Sequence, residues 1–212
     1  MDLNGLFPGL AQPALWAAAV VVILILLRVA NIFRYIPNNQ VGIVEKLWTT
    51  KGSIKSGFIA LHGEAGYEPE VLRGGLHMFF PFMYRIHKSD LVTVGQGSIA
   101  YVFARDGAPL GASQVLGAND TEDKSDYQDA RRFLLGGGQK GPQRKVLREG
   151  TYAINTTQFA IITDERVYGH ALSGQERGVL DSMQQTIADR GGFAPVTRSP
   201  CSTVRITRSR SS

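Results

Sequence analysis

The chain has 212 residues, enough for one large domain or two small ones. Charged residues make up 19%, below the usual quarter, and the net charge of +5 fits either a neighbour of anionic lipid or the arithmetic of one basic tail. A single cysteine, Cys201, excludes an internal disulfide framework and any cysteine-based metal cluster.

The first predicted element is residues 14–33, "ALWAAAVVVILILLRVANIF", in which positions 14–27 hold no polar residue. Twenty residues at about 1.5 Å each span about 30 Å, the hydrocarbon thickness of a bilayer. The run predicts a transmembrane helix over 14–33, behind a short non-cytoplasmic N-terminus of residues 1–13. A signal peptide wants a basic start, and no Lys or Arg precedes Arg28. A core helix wants a polar stripe, and the run has none. Arg28, Arg34, Lys46, Lys51 and Lys55 lie in or after the run, while Asp2 is the only charge before it. The positive-inside rule then predicts a single pass through the cell membrane, N-terminus outside and main domain cytoplasmic.

Residues 34–95 read as a first β-rich unit. "QVGIVEKLWTT" is a strand after the Pro37-Asn38-Asn39 turn, "FIALHG" a second short strand, and "PEVLRGGLHMFF" a strand, a Gly-Gly turn and another strand. Leu91 to Val94 and Ile99 to Phe103 are two more. Residues 96–172 read as a second unit, with a polar insertion at 117–132 that leads into a helix, Asp126 its candidate N-cap. Residues 173–191 form an amphipathic helix. Ser173 and Glu176 have capping-box spacing, Val179, Leu180, Met183 and Ile187 share a face, and Gly191 stands at the C-terminal cap. Residues 192–212, with Arg198, Arg205, Arg208 and Arg210 among serines, read as a disordered basic tail, truncated or frameshifted relative to a longer parent.

The phrase "PEVLRGGLHMFF" returns as "RKVLREGTYAIN". Without a gap, Phe58 to Phe80 overlays Phe133 to Asn155 at a constant offset of 75 residues, with Gly63 on Gly138, Gly66 on Gly141 and Gly75 on Gly150. This predicts one strand-turn-strand unit used twice, with Gly75 and Gly150 at equivalent turns. Arg73 and Arg148 stand beside those glycines, which favours a structural role over phosphate binding. An echo of turn chemistry is the alternative.

No motif carries catalysis. "GGGQKGP" has the glycine spacing of a phosphate loop, but Pro142 and Gln143 replace its lysine and hydroxyl. Gly95 and Gly97 follow a strand, yet the residues after them are strand-like where a dinucleotide site needs a helix. His62, His77, His87 and His170 lie three or four residues from no other His or Cys, which argues against zinc. No G-x-S-x-G elbow is present. The sequons at Asn119 and Asn155 mean nothing in a cytoplasmic domain. The expectation is a non-enzyme with no catalytic, cofactor-binding or metal residues, and no nucleic-acid partner.

The membrane helix, then "VGIVEK", then "VLRGGLHMFFPFMYRIHKSDLVTV" with Gly75-Leu76-His77 and Pro81, resembles the stomatin/prohibitin/flotillin (band 7, SPFH) family. "GGGQKGPQRKVLREGTYAIN" is similar to its flotillin-like members. The resemblance covers about residues 14–190. It implies an α+β fold on the cytoplasmic membrane face: an N-terminal transmembrane helix, a β-rich SPFH-type domain with the repeated unit, and a C-terminal helix. It implies a membrane-anchored scaffold that organises microdomains and other membrane proteins, with the bilayer as partner and a homo-oligomer in a full-length form. The chain departs from the family near Phe193, since the long Ala/Glu-rich oligomerising region is missing. Phe79, Phe80, Phe82 and Tyr84 are candidate membrane-interface contacts if that segment faces outward, and core if it does not. The alternative function is a membrane-anchored regulator or adaptor of a membrane protease or other enzyme. It requires ionisable groups to converge among His62, His77, His87, Asp90 and Glu64.

Overall fold

The computed structural model describes residues 11–29, 32–57, 59–80, 82–118 and 125–195. It is mostly β-strand, in two small sheets and two two-stranded ribbons, with three helices. Helix α1 runs Ala11–Val29. Of the predicted span 14–33 it therefore takes up only the part to Val29; Ile32 is outside it, and Phe33 opens strand β1 (Phe33–Ile36). The 19 residues of α1 at about 1.5 Å each reach about 28 Å, just under the roughly 30 Å of hydrocarbon. Among the described residues no helix is long and apolar enough to cross a membrane. The transmembrane helix, the single-pass cell-membrane location, and the α+β class built on that helix are corrected accordingly. The N-terminus up to residue 10 lies outside the described residues.

The strands form two copies of one plan. In the first, β2 (Gln40–Lys46) is the middle strand between β3 (Gly66–Leu72) and β5 (Tyr84–Asp90), all antiparallel. Its Val41, Ile43 and Val44 are β-branched and buried, as a half-covered pleated surface favours. In the second copy, β7 (Tyr101–Ala104) sits between β8 (Gly141–Pro142) and β10 (Phe159–Ile162), and β11 (Val167–Tyr168) is added beyond β10. Lys46 lies opposite Gly66 and Tyr84; Ala104 lies opposite Gly141 and Phe159. The middle strand is thus shifted by 58 residues between copies and its partners by 75.

The ribbons keep the same shifts. Ile36 faces Gly75 where β1 pairs with β4 (Gly75–Met78), and Val94 faces Gly150 where β6 (Val92–Val94) pairs with β9 (Gly150–Tyr152). The 17 extra residues of the second copy fall between Ala104 and Gly141, in the segment that carries α2 (Ala130–Leu135). The Gly-Gly turn does not close a hairpin, because β3 pairs with β2 while β4 pairs with β1. It carries the chain from a sheet to a ribbon, and the turn before Gly150 does the same.

Gly75 and Gly150 have φ of +140° and +144°, a region closed to side chains. Each turn is braced from four residues along: His77 Nε2 lies 2.8 Å from the Arg73 carbonyl oxygen, and the Tyr152 hydroxyl donates to the Arg148 carbonyl at 3.0 Å. Gly75→Ala and Gly150→Ala should each lose about 1–3 kcal/mol from backbone strain. Urea denaturation measures both; one silent substitution would show that the two turns are not energetically alike.

Two buried clusters fill the second copy. One gathers Val92, Val94, Val102, Leu147, Ile154, Phe159 and Ile161 with Tyr127, Ala130 and Phe133; the other joins Ala160 and Ile162 to Leu180 of α3 (Gly174–Asp189) and to Phe193. Several local expectations are corrected. Residues 59–63 form no strand, only the bridge Ile59 to Tyr67. Asp129, not Asp126, caps α2, accepting from the Arg132 amide at 2.9 Å. The insertion 117–132 is not all solvated, since Tyr127 and Ala130 reach the core. Val179 points outward while Leu180 is buried. The tail begins later than residue 192: Ile99 donates its amide to the Phe193 carbonyl, and Tyr101 its hydroxyl to the Gly192 carbonyl. Residues from 196 onward, with Cys201 and the four arginines, lie outside the described residues.

Candidate functional site

The β1–β4 ribbon has an apolar outer face. Alternation along β1 sends Phe33 and Tyr35 to one side and Ile36 inward; β4 sends Leu76 and Met78 to the same side through the pairs Phe33 with Met78 and Tyr35 with Leu76. With Phe80 and Phe82 just beyond β4, these side chains are 51% to 88% exposed. Leu47 and Trp48 are exposed too, and the Leu47 amide donates to the Met83 carbonyl, next to Phe82. Phe82 holds φ +71°, an unusual conformation for a bulky side chain, and is the most exposed of the set. Phe79 and Tyr84 turn the other way: both are half-buried, their rings 5.5 Å apart. Of the four aromatic candidates, two lie on the open face and two against the sheet; Pro81 lies outside the described residues.

The second ribbon is an internal control. The exposed pair Tyr35 with Leu76 corresponds, by the shifts of 58 and 75, to Thr93 with Thr151. Both threonines are exposed, at the same place on the same ribbon. The fold therefore closes with a polar pair there, and the aromatic and aliphatic face of the first ribbon is not a demand of the architecture. Large apolar surface left open mostly marks contact with something else.

A second cluster lies between the copies. The rings of His87 of β5 and His170, just after β11, meet tilted by 50° with centroids 4.6 Å apart, and Tyr67 of β3 lies 5.8 Å and 6.1 Å from them. His87 Nε2 donates to Glu45 Oε2 at 2.8 Å, and Arg85 approaches the same oxygen at 3.5 Å. Burial pushes the His170 imidazole below its ordinary pKa, and the neighbouring His87 and Arg105 push the same way against Glu45. Burial, then Glu45, raises the Tyr67 phenol. Arg105, whose side chain is only 8% exposed, donates to the carbonyls of Thr157, His170 and Ala171 and pairs with Glu176 at 3.2 Å. Beyond that pair opens a cleft of about 310 Å³ lined by Phe103, Leu172, Val179 and Leu180.

The five ionisable residues named from the sequence do not converge. His62 lies by Glu64, His77 braces Arg73, Asp90 pairs with Arg166, and only His87 joins the cluster. Arg73 reaches the Gln128 side chain at 3.3 Å, and Arg148 contributes its carbonyl to Tyr152. Sequence spacing missed the His87–His170 contact because 83 residues separate them, and the 75-residue repeat places His87 on Ile162 rather than on His170. Among the described residues no group of three or more His, Cys, Asp or Glu is placed to hold a metal ion.

The fold and the open face define a class, an internally duplicated β protein with one apolar ribbon. The chain matches no family model, no curated protein and no solved structure.

Proposed function

We propose that this chain is a non-catalytic scaffold that docks on a lipid surface through the face of its β1–β4 ribbon, self-associates there and gathers other membrane proteins, as the resemblance to the stomatin/prohibitin/flotillin family implies. The observation that carries the reading is the contrast between the two ribbons, Tyr35 with Leu76 against Thr93 with Thr151. Phe33, Tyr35, Phe80, Phe82 and Trp48 are the ring types that settle among lipid headgroups, and Arg34, between Phe33 and Tyr35, and Lys46, next to Leu47, add positive charge in the same strands. α1 ends only a few residues before the ribbon and exposes apolar side chains from Leu15 to Leu26, which also call for cover. This docking is interfacial and involves no crossing of the bilayer.

The test is flotation of the full chain with vesicles containing anionic lipid. The native chain should rise with the vesicles. Leu76→Thr with Met78→Ser and Phe80→Ser should stay in the dense fraction while keeping its circular dichroism spectrum and melting temperature. Equal flotation of the triple variant would remove the ribbon from the proposal, and a native chain that never floats would end it.

A further inference from the structure

The polar cluster between the copies has a charge balance that one added proton upsets. His87 belongs to the first copy and His170 to the second, so their tilted rings form a direct contact between the halves. Every element packed there contributes a charged or titratable group. β2 brings Glu45, β3 brings Tyr67, β5 brings Arg85 and His87, the segment after β7 brings Arg105, and α3 brings Glu176. Glu176 is already held by the Ser173 amide and by Arg105. Glu45 already accepts from His87 and Arg85. Two carboxylates thus face two arginines before either imidazole is charged. A proton on His170 meets the tilted His87 ring 4.6 Å away and the Arg105 guanidinium, with no carboxylate paired to it among the described residues.

We propose that the His87–His170 contact is an acid-sensitive latch between the two repeats, closed while His170 is neutral and opened when its imidazole takes up a proton. The segment it releases is short and already strained. His170 and Ala171 are anchored by their carbonyls to Arg105, the His170 amide donates to the Thr156 carbonyl, and Ala171 holds φ +51°. Opening there frees the turn into α3 and exposes the cleft wall at Leu172. The direction follows from His170, whose folded form resists protonation more than the unfolded chain does. Its contribution to stability is complete above the unfolded value near 6.5 and is lost as pH falls through the lower folded value.

The experiment uses the full chain at pH 7.5 to 5, a range that leaves ordinary carboxylates largely ionised. The native melting temperature should be flat above about pH 6.5 and fall below it, and His170→Gln should remove about half of that fall or more. His62→Gln and His77→Gln, away from the cluster, should retain it. In the native chain, hydrogen exchange corrected for its intrinsic pH dependence should quicken at 169–172 before it quickens at 159–162. An unchanged acid limb in His170→Gln would overturn the latch. If that variant does not fold, the exchange pattern of the native chain decides, and uniform opening of both segments would overturn it equally.

Discussion

Phe159→Ala should lower stability by about 3–5 kcal/mol and the melting temperature by roughly 6–20 °C. Phe159 is fully buried in β10, opposite Ala104 of the middle strand. Its ring meets Phe133 at 5.0 Å and Tyr127 at 5.2 Å, both close to edge-to-face. Truncation therefore removes the transfer energy of a whole benzyl group, leaves a cavity, and breaks two aromatic contacts worth about 0.5–1.5 kcal/mol each. The neighbours cannot collapse into the space easily. Phe133 is fixed by α2, whose cap Asp129 is bonded to Arg132, and Tyr127 donates its hydroxyl to the Lys145 carbonyl. Phe82→Ala, at a side chain 88% exposed, provides the control and should stay within about 0.5 kcal/mol of the native chain. Urea denaturation of both variants measures the contrast, and a Phe159→Ala loss below about 1.5 kcal/mol would mean that this cluster is not the centre of the second copy's core.

What could be read from the sequence was local chemistry. Ser173 and Glu176 announce the start of α3 because a capping box satisfies two backbone amides within four residues, and no distant contact decides it. The 75-residue echo is readable because glycines at φ beyond +100° admit no substitute. The companion shift of 58 residues was readable only as an order of strands, with "SIAYVFARDGAPL" in the part of "VGIVEKLW". β2 and β7 share a place in the fold but no phrase, since strand interiors accept any residue that suits a pleated, covered surface. The apolar run at 14–33 misled for a related reason. Hydropathy reports how much a segment avoids water, while the length of a helix is set by where the backbone turns, and here the strand pairing of Phe33 with Met78 claims the end of the run. The same pairing decides which aromatics face outward. Phe79 and Phe80 are neighbours of one residue type, and only the register of β4 on β1 places the first against Tyr84 and the second in the open.

Arg105→Ala should cost about 3–5 kcal/mol, comparable to the loss of Phe159 but of opposite chemistry. Arg105 opens the long connection of the second copy, and its guanidinium reaches three backbone carbonyls in two separate segments, Thr157 on one side and His170 and Ala171 on the other. Truncation leaves those oxygens without this donor, at about 1–3 kcal/mol for each that stays buried, Thr157 foremost, while the Ala171 carbonyl is open to water. Glu176 loses its ion pair as well but keeps the Ser173 amide, the largest cause of its lowered pKa, so the start of α3 should survive. The damage should therefore appear as opening of the turn at 169–172 rather than fraying of α3. Arg105→Lys separates charge from geometry. An ammonium restores the charge beside Glu176 but cannot fork to carbonyls of two segments at once, so it should recover less than half of the loss. Urea denaturation gives the magnitudes and hydrogen exchange the location. Full rescue by lysine would reduce Arg105 to a point charge and leave the joining of the two segments to the His170 amide, which donates to the Thr156 carbonyl at 2.9 Å.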